Sequence, residues 1–407
     1  MTKEKVMSID LTKNPYGKYN GKELEYVLQA LDSDNSENKK KPWNQRFEEK
    51  FCEVMQVKYA ITCNSGTSGL HAAMVAAGVR KGEEVISPAL TVIMDALAIL
   101  HVGGTPVFAD VDPGTQNIDP EDIARKITSK TKAIITVSLQ GLPVDMDPIM
   151  DLAEKHNLVV IEDSAQTMLG KYKGSVAGTT GHIGVFSFEN KKHMTCGSEG
   201  GMIVTNDEKL AEQARKFAGI GYKHMTARAG RTSLTMATVQ DPDYERFDTV
   251  GLNYRMTEVS AAIGLAQFER IEAIVARRKA VAKFFYEAIG DCDWMVPQEV
   301  PERYEHSYYN YSVQYYGNET AGIPWKDFYN RYIKMGGDGF YGACKIPYLE
   351  PVFKDFEVNG VKYQIGLCPV AEKIQQKIMQ FKTNYRDLDV ARKKAEVLGR
   401  LIDEIGR

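Results

Sequence analysis

No apolar run in this sequence approaches the roughly 18–20 residues that a membrane-crossing helix needs. The opening stretch, MTKEKVMSIDLTKNPYGKYNG, is polar and holds nothing like the apolar core of a signal peptide. Charge of one sign is missing as well. Lys plus Arg number 51 and Asp plus Glu 54, a net of −3, which argues against a protein built to bind nucleic acid electrostatically. The six cysteines (Cys52, Cys63, Cys196, Cys292, Cys344, Cys368) form no C-x-x-C pair. Their spacing fits neither a disulfide framework nor a zinc site, so no metal is expected. Internal repeats and low-complexity tracts are also lacking. The expectation is a reduced, soluble, cytoplasmic protein with no membrane or nucleic-acid partner.

What is present is ordinary globular composition, 43% hydrophobic and 26% charged over 407 residues, enough for about two to three domains at roughly 150 residues each. The most polar stretch, Asp32–Lys41, reads as an exposed loop. Beyond it, strands and helices alternate as in βαβ units. Strands are expected at Tyr59–Cys63, from Glu84, at Thr105–Val111, Ala133–Leu139 and Leu158–Ile161, then at Ile183–Phe188 and Gly201–Val204 as a hairpin. The continuous apolar runs AIITVSL and LVVI suit parallel strands covered on both faces. Leu70, Ala73, Met74 and Ala77 share one helical face, and Met94–Val102 and Asp147–His156 also read as helix. From Thr257, a capping residue, to about Ile289 the pattern reads as one long helix leading from one domain into the next. Past Gly290 the alternation changes, and Tyr308–Tyr315 is an aromatic strand. The fold class is therefore α/β, with a large, mostly parallel sheet domain at 1–270 and a smaller α+β domain at 271–407.

Three short segments carry chemistry. Asn64-Ser65-Gly66-Thr67-Ser68-Gly69 lies between a strand and a helix, where backbone N–H groups and a helix start favour an anion. An ordinary βα turn has the same composition, and neither a P-loop lysine nor GxGxxG is present. Asp163, in IEDSAQ, follows the apolar strand at its carboxyl end, where ligands bind in open α/β sheets. An N-capping Asp would sit there too. The third segment, FSFENKKHMTCGSEGG, holds Lys191 and Lys192 in a loop before a Gly-rich turn. A lysine there can form a Schiff base, although lysine pairs are mostly solvated surface. Together, cradle, acid and lysine are the parts of a pyridoxal phosphate site.

With these segments, and with GEEVISPALT, GGTPVFADVDPGTQNIDP, TKAIITVSLQGLPVDMD, GLNYRMTEVSAAIGLAQ and CPVAEK, the chain resembles the DegT/DnrJ/StrS family of sugar aminotransferases over nearly its whole length. The resemblance implies the pyridoxal phosphate-dependent transferase fold of type I. It implies that Lys192, five residues after Ser187, is the Schiff-base lysine and that Lys191 has no covalent role. Asp163 would meet the pyridine nitrogen, and Gln166 would lie near the ring and its phenolic oxygen. Ser65, Gly66, Thr67 and Ser187 would hold the phosphate. Asn253, in GLNYRM, resembles a family asparagine that reaches the neighbouring subunit's phosphate, which implies a homodimer with shared sites.

The implied activity is amino transfer from an amino acid, glutamate by expectation, to a keto sugar, often nucleotide-linked, the cofactor cycling through its pyridoxamine form. A small phosphorylated ketone or a cyclitol ketone as acceptor, a sugar dehydratase, and a non-catalytic regulatory binder stay open. Several features depart from the family pattern. The turn Gly197–Gly201 is one residue longer, and Val92 stands where a stacking aromatic is common. The segment Tyr222–Thr249, with Arg228 and Arg231, is longer and either shapes the acceptor pocket or is a surface excursion. Met335–Ala343 and Gln380–Arg386 do not resemble the usual pocket segments. His193 is read as a locally bonded neighbour of the lysine, and His306 as a structural histidine.

Overall fold

The computed structural model describes residues 17–32, 41–230, 234–341, 345–358 and 361–406. Its centre is a seven-stranded sheet: β1 (Tyr59–Cys63), β2 (Glu84–Pro88), β3 (Thr105–Ala109), β4 (Thr131–Val137), β5 (Val159–Asp163), β6 (Ile183–Ser187) and β7 (Gly201–Thr205), in the order β1-β7-β6-β5-β4-β2-β3. β7 runs antiparallel to both β1 and β6, forming the expected hairpin with β6, and the other pairings are parallel.

The strands are apolar because both faces of the sheet are covered. Ile61, Val85, Ile135, Ile161 and Ile203 pack on one side with the helix Gly66–Ala76. Ala60, Phe186, Met202 and Val204 pack on the other with the helices Trp43–Met55 and Glu258–Phe268. Leu70, Ala73, Met74 and Ala77 are buried, as their shared face requires. Helices also form at Met94–His101 and Met146–His156.

A second, three-stranded antiparallel sheet contains β8 (Met295–Pro297), β9 (Asn310–Tyr315) and β10 (Ile378–Lys382), with β9 central. The helices Ile271–Ile289, Trp325–Lys334 and Leu388–Ile405 enclose its core around Phe285, Val313, Phe328 and Phe381. Part of the C-terminal chain returns to the first core. Ile346, Tyr348, Phe353 and Ala371 join it, and Asp110 after β3 accepts from the Val370 and Ala371 N–H groups at 2.9 and 2.8 Å.

The expected single helix over 257–289 is two helices, Glu258–Phe268 and Ile271–Ile289, with Arg270 between them at φ −120°, ψ 18°. No Gly or Pro between 265 and 275 announces the break. Arg270 instead turns its guanidinium to the Lys18 carbonyl (2.7 Å) and to Glu23 (2.8 Å), so tertiary bonds override the local pattern. The polar loop expected at 32–41 lies mostly outside the described residues.

Candidate active site

The parallel strands converge their carboxyl ends on one edge of the large sheet, where ligands bind in this architecture. After β1, Ser65 caps the helix Gly66–Ala76. Its hydroxyl accepts from the Ser68 N–H and the Ser68 hydroxyl accepts from the Ser65 N–H, both at 3.1 Å. This reciprocal cap leaves the Gly66 and Thr67 N–H groups at the helix start, where the helix dipole is positive. Gly66 must be glycine: a Cβ there would stand 2.7 Å from the Ser187 Cβ and 3.2 Å from its Oγ. The close approach sets the end of β6 against the helix start.

Asp163 ends β5 and is 2% exposed. Its Oδ1 accepts from the Ala165 N–H at 2.8 Å. Burial pushes its acidity weaker, opposed by that N–H and by the charge of Lys192. Asp95, in the first turn of the helix Met94–His101, lies against Asp163 and is wholly buried. Its Oδ2 accepts from Thr91 Oγ1 at 3.0 Å, while Oδ1 finds no donor. Burial, then the Asp163 charge, raises its pKa well above the carboxylate range. The Gln166 side-chain oxygen accepts from the Gln140 N–H at 2.9 Å.

The lysine pair splits. Lys191 is exposed. The ammonium of Lys192 acts on Asp163 and lies 4.9 Å from the centre of the Tyr309 ring. Arg278, buried in the helix Ile271–Ile289, fixes this loop by donating to the Lys192 carbonyl at 2.9 Å, to the Lys191 carbonyl at 3.3 Å and to the Tyr309 carbonyl at 2.7 Å. The Tyr341 hydroxyl adds a bond to the Lys191 carbonyl at 2.7 Å.

The two sheets meet beside the lysine. The Gly141 carbonyl accepts from the Ser307 N–H and the Gln140 carbonyl from the Tyr309 N–H, each at 2.8 Å. A Cβ on Gly141, whose φ is +105°, would stand 2.7 Å from the Tyr308 nitrogen. His193 bonds the Ser307 carbonyl at 3.0 Å, and burial with the Arg278 charge pushes its pKa well down. His306 accepts from the Tyr308 N–H at 2.9 Å and pairs with Gln298 at 3.1 Å. Burial lowers its pKa to about 3. Both histidines are locally engaged, as the sequence suggested.

Ser65, Gly66, Thr67, Asp163, Gln166, Ser187 and Lys192 thus come from the carboxyl-end loops of β1, β5 and β6. Asn253 precedes Tyr254, whose carbonyl accepts from the Asn64 N–H at 2.8 Å, but its own side chain is exposed and no described hydrogen bond joins that side chain to the cradle. Arg228 lies over Tyr59, at the opposite end of β1 from the cradle. Arg231 falls outside the described residues. Sequence reasoning missed Asp95, Arg278, Tyr309 and Tyr341. Asp95 alone left a signal, as the one carboxylate in the apolar helix MDALAILH.

An anion site, a buried acid and an amine in this arrangement suit pyridoxal phosphate, whose phosphate, ring nitrogen and aldehyde need those three partners. Buried Asp163, with Ala165 N–H as its one backbone donor, keeps acceptor capacity for a ring nitrogen, and the Gly66 and Thr67 N–H groups at the helix start beside the Ser187 hydroxyl fit a phosphate. Such an α/β chain falls in the class of pyridoxal phosphate-dependent transferases.

Residues 18–382 match the profile of the DegT/DnrJ/EryC1/StrS aminotransferase family, and the chain belongs to that family of pyridoxal phosphate-dependent enzymes. It is 42% identical over 276 residues to the GDP-perosamine synthase of Escherichia coli O157:H7, covering 66% of this chain and 69% of that one. It is 35% identical over 323 residues to the pleiotropic regulatory protein of Geobacillus stearothermophilus, 78% of each chain. The crystal structure of the aminotransferase from Psychrobacter cryohalolentis superposes with a TM-score of 0.82 at 32% identity, covering 94% of this chain and 97% of that one.

Proposed function

We propose that this protein transfers an amino group from an amino acid, glutamate, to the ketone of a nucleotide-linked keto sugar. The observation that carries the reading is Lys192 placed beside buried Asp163 at the strand ends, with the Ser65–Thr67 and Ser187 cradle alongside. The similarity to GDP-perosamine synthases supports a nucleotide-linked acceptor.

When bound, pyridoxal phosphate supplies a ring that draws electrons from the donor's α-carbon. The Gly66 and Thr67 N–H groups and the Ser187 hydroxyl bind its phosphate. Asp163 holds a proton on the ring nitrogen by offering a buried negative charge. Gln166, fixed by the Gln140 N–H, orients the ring's phenolic side. Lys192 would hold the group through its amine, and that amine would move the α-carbon proton as general acid and base. Tyr309 shields the amine from water on the side of the second sheet. Donor and acceptor use the site in turn.

Asn253 completes the site of a partner subunit in a homodimer, consistent with its exposed side chain. In this reading 1–270 is the cofactor-binding part and 271–407 the covering part, and the setting is cytoplasmic. A dehydratase would need no returning lysine, and His193, the nearest alternative base, is engaged at the Ser307 carbonyl and made a weaker base by burial.

The test supplies glutamate to the purified holoprotein. One equivalent of 2-oxoglutarate should appear, and a panel of keto sugars, small keto phosphates and cyclitol ketones should then be scored for aminated product. A deoxygenated ketone with ammonia would mean dehydration. Release of no 2-oxoglutarate would favour a regulatory binder, the role named for the Geobacillus relative.

A further inference from the structure

Asp95 and Asp163 are two buried carboxyl groups set against each other, and two carboxylates offer no donor between them. Asp95 Oδ1 accordingly has no hydrogen-bond partner while both are ionised. One proton resolves the contradiction, and the surroundings decide where it sits. Asp163 receives the Ala165 N–H at 2.8 Å and the attraction of Lys192, both favouring its ionised form. Asp95 receives the Thr91 hydroxyl at 3.0 Å and the repulsion of Asp163. The facing helix Gly66–Ala76 carries one titratable group, His71, which is engaged with Tyr254 at 3.0 Å. Gln140 and Gln166, from the loops after β4 and β5, are neutral.

We propose that Asp95 is a positioning residue: it holds the proton of a shared carboxyl pair, donates it as a hydrogen bond to Asp163, and so fixes Asp163 as the ionised partner for a cationic ring nitrogen. The role towards the ring rests on the pyridoxal phosphate reading; the shared proton does not. The pair then contributes one negative charge to the site, matched to one protonated nitrogen. Two ionised carboxyls at this depth would repel each other without solvent screening.

The experiment begins with cofactor-free protein. The infrared carbonyl band of a protonated carboxyl, identified by its shift in heavy water, should be present at neutral pH and reduced by one component in Asp95→Asn. A wild-type protein with no such band, or an Asp95→Asn spectrum with every component retained, would overturn the proposal. The pH dependence of melting gives a second reading. A carboxyl whose folded pKa is raised stabilises the fold below its unfolded pKa, and that contribution is lost as pH rises through the folded value. Asp95→Asn should therefore gain in Tm relative to wild type as pH rises above the carboxylate range; a constant offset would count against a titrating pair.

Pyridoxal phosphate retention, measured by equilibrium dialysis, tests the donated bond. Asn at 95 keeps a donor and should hold cofactor within about threefold of wild type, whereas Asp95→Leu should weaken retention by about tenfold or more. Equal losses in the two folded variants would refute the positioning role. If Asp95→Leu does not fold, the Asn variant and the infrared reading still decide. An intact band in a protein that does not bind pyridoxal phosphate would sink the cofactor reading and leave the shared proton standing.

Discussion

Glu162 and Asp163 are neighbours on β5, both 2% exposed, yet they end on opposite faces of the sheet in different surroundings. Glu162 faces away from the site and accepts from the Gly178 N–H at 2.8 Å, the Thr180 N–H at 2.7 Å and the Gly181 N–H. Asp163 has one backbone donor, a second carboxyl and a lysine. The first acid is saturated by fixed dipoles and staples the 178–181 turn to the sheet. The second is left with capacity that a ligand can use. Burial by itself marks neither as functional; the unfilled bonding capacity does.

The comparison breaks most visibly at the amine. Lys192→Ala should remove the covalent link to cofactor and reduce turnover by about a thousandfold or more, while Lys191→Ala leaves both intact. Borohydride reduction and peptide mapping checks this, and a label on Lys191 would reverse the assignment. Asp163→Asn comes next. It should cost about a hundredfold in turnover with far less loss of cofactor occupancy. Equal losses in the two would make Asp163 structural, like its neighbour.

Glu162→Ala should do the opposite. It strands buried N–H donors and should lower stability by about 3 kcal/mol or more, while turnover per folded, cofactor-loaded molecule stays near wild type. Denaturant melts beside active-site titration separate the two effects. The smallest effect is expected at Asn253. Asn253→Ala should weaken cofactor retention by about tenfold. Mixing that subunit with Lys192→Ala subunits should restore one intact site per hybrid dimer. No rescue in verified hybrids would remove Asn253 from the shared site.

Much of this was readable from residue order, for specific reasons. The run LVVIED identifies a strand covered on both faces and places an acid at its carboxyl end, since burial and strand length are local properties. The order of cradle, acid and lysine pointed to three loops that the fold brings to one edge of the large sheet. Nothing local distinguishes Glu162 from Asp163, because which face each meets depends on the whole sheet. Arg278 was invisible for a similar reason: it bonds the Lys192 carbonyl across 86 residues of sequence, from an ARRK run that reads as solvated helix surface. The break at Arg270 is also a tertiary effect, set by Lys18 and Glu23. The C-terminal return of Ile346–Ala371 to the first core had no periodic signal to announce it.

The Arg278 clamp has a mechanical consequence. One buried guanidinium grips two successive carbonyls of the lysine loop and also the Tyr309 carbonyl of the second sheet. Sliding the loop would strand a buried cation, a change far more costly than rotating bonds in a side chain. The backbone at residue 192 is therefore a fixed pivot, and the amine travels only as far as its four-carbon arm swings. Moving the amine from one position to another then takes side-chain rotation rather than a loop rearrangement on the microsecond scale.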